Sequence, residues 1–228
     1  MRILKSIADN TNPGSWASRM RLRRAEFFRT LIESVEGQIK ILDVGGTERF
    51  WDTMDLADAR LEIVILNLDH RPVTTQNRRS MIGDGRDLRS IADQSFDVVF
   101  SNSVIEHVGS YADQRRMAEE VQRVGKRFFV QTPNRSFPIE PHFLFPFFQF
   151  LPVPWRVWLL TRFALGWSGR IPDREAAERT VRSVRLLSKS EFEALFPTAN
   201  VWEERVLIWT KSFVAYDGWD SGTTPESH

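Results

Sequence analysis

The chain has 228 residues, 42% hydrophobic and 27% charged, which is enough to bury a substantial core in one globular unit. Its 31 basic and 30 acidic side chains leave a formal charge of +1. This gives no overall field for nucleic acid, so no nucleic-acid partner is predicted. Cysteine is absent, which excludes disulfides and thiolate metal sites.

The N-terminal stretch MRILKSIADNTNPGSW lacks the apolar core of a secretion signal. No uninterrupted apolar run reaches the roughly 18–20 residues needed to span a bilayer. The predicted location is therefore the cytoplasm, and we do not expect a simple transmembrane protein.

The order of the predicted elements favours an α/β fold. A leading amphipathic helix is predicted over residues 17–36, where Met20, Phe27, Leu31 and Val35 recur at helical spacing. Four short apolar runs follow: KILDV, LEIVILNL, SMIGD and SFDVVFS. A polar helical segment over 111–124 then precedes a fifth run, RFFVQ. Apolar runs separated by polar or helical stretches are typical of a parallel sheet that is covered on both faces.

The C-terminal part predicts a helix and a hairpin. Ser188 and Glu191 form the S-x-x-E pattern of a helix start. The segments NVWEERVLIW and TKSFVAY follow with almost no linker, so we expect them to pair as an antiparallel hairpin. We therefore predict one domain over 1–217, with an apolar insertion over 134–187 and a flexible polar tail over 218–228.

The stretch KILDVGGTERFW places a carboxylate and two glycines where a strand ends. In an open α/β fold, such a turn lets the backbone approach a cofactor at the carboxyl ends of the strands. A dinucleotide fingerprint counted from Gly45 would need glycine where Thr47 and Phe50 stand. The carboxylate of Asp43 is also awkward for a pyrophosphate, whereas it suits the ammonium and sulfonium of S-adenosylmethionine. An ordinary strand-to-helix turn is the alternative interpretation.

The next strand ends carry polar groups suited to the rest of one nucleoside. Asn67 or Asp69 lies near the spacing at which a polar side chain meets a ribose diol. Asp84 is a candidate acceptor for an adenine amino group, and Gly85 leaves room for the ring. Asn102 follows at the exit of the fourth strand. The sequence thus predicts four strand ends around one ligand.

The motifs ILDVGG, GDGRDL and SFDVVFSNSVIEHV, in this order over residues 40–131, resemble the class I S-adenosylmethionine-dependent methyltransferases, in particular the small-molecule, quinone-methyltransferase-like branch. The resemblance implies a doubly wound, mostly parallel seven-stranded sheet with a C-terminal antiparallel hairpin. It also implies that Asp43, Gly45 and Gly46 hold the methionine moiety of S-adenosylmethionine. Thr47 and Asn67 depart from the glycine and the acidic ribose ligand that many members have, which predicts a lowered cofactor affinity.

Methyl transfer to a hydroxyl needs a base within hydrogen-bond reach, and histidine has the suitable pKa. Of the four histidines, His70 lies at the ribose end and His228 is terminal. His107 and His142 remain as candidate bases, and Glu140 either orients His142 or acts alone. The alternative is that these histidines only shape the pocket. The sequence predicts no metal-ligand cluster.

The segment FLFPFFQFLPVPWRVWLLTRFALGW, residues 143–167, contains six phenylalanines and three tryptophans. It is predicted to form a lid over the active site or to lie in a bilayer interface. The predicted acceptor is a small molecule, a lipid-like compound or a glycan precursor. A methyltransferase-like scaffold without catalysis is the alternative function, and a nicotinamide dehydrogenase is a third. The sequence does not determine the oligomeric state.

Overall fold

The central feature of the computed structural model, which describes residues 15–219 except 55, 57 and 168, is a seven-stranded sheet. Its strands run β3-β2-β1-β4-β5-β9-β8. Strands β1 to β5 pair in parallel, whereas β9 pairs antiparallel with both β5 and β8. Their bounds are β1 Ile39–Val44, β2 Leu61–Asn67, β3 Arg78–Ile82, β4 Val98–Asn102, β5 Phe128–Pro133, β8 Asn200–Val206 and β9 Trp209–Asp217. The predicted fold class and the C-terminal hairpin are confirmed.

Six α-helices accompany the strands in the part of the chain that the structure describes. They are α1 Trp16–Glu33, α2 Glu48–Met54, α3 Tyr111–Val124, α4 Val153–Arg162, α5 Arg174–Arg182 and α6 Lys189–Leu195. Helix α1 ends before residue 36, where its sequence pattern ended, because Ser34 caps it and Gly37 adopts a φ of +76°. Helix α6 begins with the predicted capping box of Ser188 and Glu191. The tail beyond residue 219 lies outside the described residues.

Both faces of the sheet are buried, which explains the nearly continuous apolar runs of the strands. Along β1, Leu42 and Val44 contribute to the core beneath α3 and α6. The alternate residues Ile39 and Ile41 contribute to the core beneath α1 and α2. Since side chains alternate along a strand, Asp43 falls on the α1 and α2 face.

The predicted insertion, 134–187, has a small core of its own. It contains a two-stranded pair, β6 Ile139–Glu140 with β7 Phe145–Pro146, together with α4 and α5. Apolar side chains between these elements form that core: Phe143, Phe148, Val157, Leu160, Leu165, Ala177 and Val181. The backbone N–H of Arg185 donates to the carbonyl of Glu106 at 2.8 Å, which ties the end of the insertion to the segment after β4.

The outer surface of the insertion is aromatic. Six large aromatic side chains are about half exposed: Phe147, Phe150, Trp155, Trp158, Phe163 and Trp167. Scattered exposed apolar residues are ordinary, whereas a concentration of them marks an interaction surface. Within the described residues, no helix has both the length and the apolar character to cross a membrane.

Candidate functional site

The turn after β1 depends on Gly45. Its φ of +78° is a conformation that residues with a side chain rarely adopt. A Cβ there would lie 2.6 Å from Cγ1 of Val104, and the Gly45 N–H donates to the carbonyl of Leu66 at 2.8 Å. The backbone therefore passes close to two neighbouring elements, as a cofactor-binding turn requires.

Asp43 lies beneath this turn with its carboxylate fully enclosed. A Cβ at Gly46 would fall 1.6 Å from Oδ2 of Asp43, so the carboxylate occupies the space that a side chain would need. The indole N–H of Trp51 donates to Oδ2 at 2.6 Å, whereas Oδ1 is buried without a partner among the described residues. Burial raises the pKa of Asp43 to about 7. A buried carboxylate oxygen without a donor fits the ammonium group of an amino-acid moiety.

We expect Asp43→Asn to reduce the pH dependence of stability. Because the native pKa of about 7 exceeds the ordinary value, the native state binds more protons than the unfolded state between about pH 4 and pH 7. The free energy of unfolding of the wild type therefore falls as pH rises through that range. Asparagine stays neutral and still accepts from Trp51. In thermal melts, the melting temperature of the variant relative to that of the wild type should rise as the pH approaches neutral. A difference in melting temperature that does not change with pH would contradict this.

A cavity of about 330 Å³ opens at the carboxyl ends of the strands. Four of the predicted cofactor residues line it: Gly45, Asn67, Asp84 and Gly85. Leu68, Val104 and Val108 add apolar walls that the sequence analysis did not identify, and Arg86 and the candidate base His107 also line the cavity. We refer to this space as the cofactor cavity.

Asn67 has a structural role that an acidic residue could not fill. Its Nδ2 donates to the carbonyl of Gly46 at 3.0 Å, so the side chain holds the glycine turn against the end of β2. A carboxylate has no proton to donate and would repel that carbonyl. Its amide oxygen has no other described partner. Asparagine in place of the acidic residue thus stabilises the glycine turn, and its amide oxygen is left to accept from a ribose hydroxyl.

Asp84 is held in place at the cavity by its neighbour. Its carboxylate accepts from the backbone N–H of Arg86 and pairs with the guanidinium at 2.6 Å. The hydrogen bond from Arg86 holds the pKa of Asp84 below its ordinary value. A Cβ at Gly85 would lie 2.6 Å from Cγ1 of Val44, so glycine is needed for the close approach of this turn to β1.

Four of the predicted cofactor residues do not line the cavity: Asp43 and Gly46, which lie in and beneath the glycine turn, and Asp69 and Asn102. Asn102 shares the alternation of Phe100, which faces the core beneath α1, and its amide oxygen accepts from the Arg24 guanidinium on that helix. Asp69 is exposed beyond the end of β2 and does not line the cavity, whereas Leu68 does. The structure therefore places the side chains of Asn102 and Asp69 away from this cavity.

The three predicted acceptor-side residues meet beside the cofactor cavity. The carboxylate of Glu140, which is only 2% exposed, accepts from Nδ1 of His142 at 2.6 Å. It also accepts from the backbone N–H groups of His142 and Phe143 at 2.8 and 2.7 Å. Nε2 of His142 lies 3.2 Å from Nε2 of His107, which lines the cavity. We call Glu140, His142 and His107 the imidazole cluster.

The hydrogen bonds of the cluster fix the tautomers of both rings. Nδ1 of His142 faces a carboxylate, and Nδ1 of His107 faces the carbonyl of Ser183 at 3.3 Å, so each Nδ1 carries the proton. When both rings are neutral, their Nε2 lone pairs therefore face each other. Burial and the charge of His142 lower the pKa of His107. Burial also acts to lower the pKa of His142, but the bond to Glu140 outweighs it and raises that pKa.

Glu106 completes the surroundings of the cluster. It is fully buried, one carboxylate oxygen accepts from Thr132 at 3.0 Å, and the other has no described partner. Burial raises the pKa of Glu106 to about 7. Ligand atoms of Glu106, His107 and His142 lie within 4.8 Å of one another, so this part of the described chain could hold a metal ion. The sequence analysis missed this set because folding joins residues that are far apart in the chain.

Comparison with known proteins finds similarity over part of this chain. Residues 42–127 match the family described as "Methyltransferase domain". A protein from Mycobacterium tuberculosis strain H37Rv is 38% identical over 58 residues, which make up 25% of this chain and 20% of that relative. The match thus spans about a fifth of the relative's length.

Two solved structures share the fold at low sequence identity. A protein from Galdieria sulphuraria, assigned as a sarcosine dimethylglycine methyltransferase, has a TM-score of 0.52 at 14% identity over 80% of this chain and 64% of that one. A protein from Anabaena variabilis, described as a methyltransferase from an antibiotic biosynthesis pathway, has a TM-score of 0.51 at 14% identity over 81% of this chain and 66% of that one.

Proposed function

We propose that this protein transfers a methyl group from S-adenosylmethionine to an acceptor held beside the imidazole cluster. The match of residues 42–127 to the family described as "Methyltransferase domain" supports the reaction and implies the cofactor. The observation that carries the proposal is the position of His107, which lines the cofactor cavity and also contacts His142. His107, the proposed base, thus borders the cavity in which the methyl donor would bind.

The residues of the glycine turn and strand ends would hold the cofactor. Asp43 supplies a carboxylate oxygen for its ammonium, Asn67 an amide oxygen for a ribose hydroxyl, and Asp84 an acceptor for the adenine amino group. S-adenosylmethionine supplies a methyl group on a sulfonium, which is an electrophile. The protein contributes alignment of the acceptor behind that methyl and exclusion of water.

The imidazole cluster takes up the proton of an acceptor hydroxyl. The O–H bond of the acceptor breaks and the O–CH₃ bond forms, while the S–CH₃ bond of the donor would break and leave S-adenosylhomocysteine. The proton is then shared between the two Nε2 atoms that lie 3.2 Å apart. The shared proton also relieves the electrostatic repulsion between the Nε2 lone pairs of His107 and His142. Glu140 stabilises the positive charge that develops on His142, so Glu140 is a positioning residue and His107 is the base nearest to the cofactor.

We further propose a lipid-like acceptor, in keeping with the quinone-methyltransferase-like motifs. The exposed aromatic surface of the insertion, with arginines beside it, fits the interface of a bilayer with anionic lipids. In this arrangement the protein lies peripherally at the inner face of the membrane, and the acceptor reaches the cluster from that side. A soluble small molecule or a glycan precursor is the competing acceptor class.

Methyl transfer from radiolabelled S-adenosylmethionine into a lipid extract tests both proposals at once. We expect label in the organic phase, at a rate that falls several-fold when Trp155 and Trp158 are both replaced by serine, because vesicle binding follows the buried apolar area. Trp209→Ser, at an equally exposed tryptophan outside the insertion, is the matched control. Label confined to the aqueous phase, or an unchanged rate in the double variant, would contradict the lipid-like acceptor.

A further inference from the structure

A second cavity, of about 240 Å³, has Glu140 in its wall. Three arginines line it: Arg135, which follows β5, Arg156 on α4, and Arg185, which precedes α6. Apolar side chains, including Phe143 and Phe148, form its other walls. We call it the arginine cavity. Its volume greatly exceeds the roughly 10–15 Å³ that one bridging water needs, so it has room for a ligand group.

Arg156 brings to this cavity a guanidinium that forms no ion pair with any described carboxylate. Its Nε is buried and makes no hydrogen bond to any described residue. Burial, followed by the nearby charge of Arg182, lowers the pKa of Arg156. A buried N–H without an acceptor costs free energy, so a group that completes the hydrogen bonds of this half-buried guanidinium would stabilise the site.

The other charged groups at the cavity do not neutralise Arg156. Arg185 is already paired with Glu191 at 2.5 Å and donates to Gln114. Glu140 accepts from three N–H groups, including the His142 ring, so its lone pairs are largely committed. Arg135 makes no described ion pair. Arginine therefore outnumbers carboxylate around an accessible space.

Gln149 adds evidence that the cavity is built for a polar ligand. Its Nε2 donates to the carbonyls of Arg135 and Phe137 at 2.8 and 2.7 Å, which fixes the segment that carries Arg135. Its Oε1 is buried without a described partner. The cavity thus presents an unpaired acceptor beside unpaired guanidinium donors, and a hydrogen phosphate or a hydroxylated acid matches both.

We propose that the arginine cavity binds an anionic group of the methyl acceptor, a phosphate or a carboxylate. The fork of guanidinium N–H groups on Arg156 and Arg135 matches the oxygens of such a group. Glu140 borders this cavity and also orients His142, so an acceptor anchored here extends toward the imidazole cluster and the cofactor. This inference rests on the proposed function for the identity of the ligand as the acceptor.

Calorimetric titration with inorganic phosphate tests the site directly. We expect saturable binding to the full chain and an affinity at least tenfold lower for Arg156→Met, which keeps the apolar stem and removes the charge. Arg162→Met, an exposed arginine on the same helix that does not line the cavity, is the control and should bind as the wild type does. Equal phosphate affinity in Arg156→Met, or no saturable binding to the wild type, would overturn the site.

Thermal stability separates a ligand-binding arginine from a structural one. Without phosphate, Arg156→Met should melt at the same or a higher temperature, because a buried N–H without a hydrogen-bond partner has been removed. Phosphate should raise the melting temperature of the wild type and of Arg162→Met, and leave that of Arg156→Met unchanged. A variant that melts lower than the wild type and still gains stability from phosphate would contradict the assignment.

Vesicles distinguish the two sources of the anionic group. If it is a lipid headgroup, phosphatidylcholine vesicles that contain phosphatidic acid should bind the wild type more tightly than Arg156→Met. If it belongs to a soluble acceptor, only free phosphate should discriminate between the two proteins. S-adenosylhomocysteine is titrated in the same samples: its binding without phosphate binding overturns the arginine cavity alone, whereas phosphate binding without methyl turnover overturns the proposed function alone.

Discussion

Gly46→Ala should lower the affinity for S-adenosylhomocysteine by roughly 10²–10⁴-fold, corresponding to about 3–5 kcal/mol, the range found when one partner of a buried charge pair is lost. The added Cβ would lie 1.6 Å from Oδ2 of Asp43, so the carboxylate must leave its place. It would then lose the hydrogen bond from Trp51 and the position from which it meets the ammonium of the cofactor. Calorimetric titration below the melting temperature measures the loss.

Two further variants show whether the loss has this cause. Gly169→Ala is the matched control, because a Cβ there meets nothing within 4 Å and no positive φ is involved. It should bind as the wild type does. Asp43→Ala combined with Gly46→Ala removes the clash, so the double variant should regain melting temperature relative to Gly46→Ala without regaining affinity. Wild-type affinity in Gly46→Ala would sink the assignment of this turn to the cofactor.

The strands could be predicted from the sequence because the sheet is buried on both faces. Runs such as LEIVILNL must be apolar at successive positions to satisfy two cores, and no surface helix needs that pattern. The glycine turn was equally visible, since Gly45 and Gly46 both stand where a side chain would collide. Local constraints of this kind leave a direct mark in the sequence.

The direction of individual side chains was less predictable. Asn102 ends a strand, as Asn67 does, yet its partner is Arg24, a residue 78 positions away on α1. A polar residue at a strand end is compatible with the cofactor cavity or with the opposite face, and a shift of one position exchanges the two. Only the packing of α1 decides between them.

The imidazole cluster shows the same limit over a longer distance. His107 and His142 were separate candidates in the sequence, where 35 positions divide them. The insertion returns to the sheet through the contact between Arg185 and Glu106, and this brings the two rings together. The arginine cavity depends on the same return, so no local pattern revealed it.

His142→Ala and His107→Ala should each lower methyl turnover by roughly 10²–10⁴-fold, the usual contribution of a positioned base. Neither ring is assigned a contact with the cofactor's charged groups, so the affinity for S-adenosylhomocysteine should change by about twofold at most. His70→Ala is the matched control, because His70 is exposed and lies outside the cluster. Normal turnover in both variants would show that the two histidines only shape the pocket and do not act as bases.

Two further variants, His107→Ala combined with His142→Ala, and Glu140→Gln, show whether the three residues act together or independently. If the two rings share one proton, removing both should cost little more than removing one. Glu140 raises the pKa of His142, so Glu140→Gln should lower it. Because the base must be unprotonated to act, the acid limb of kcat/KM then moves to lower pH while the plateau falls. A lower plateau with an unmoved limb would show that Glu140 only supports the fold, and retained cofactor binding without turnover in the wild type would favour a scaffold.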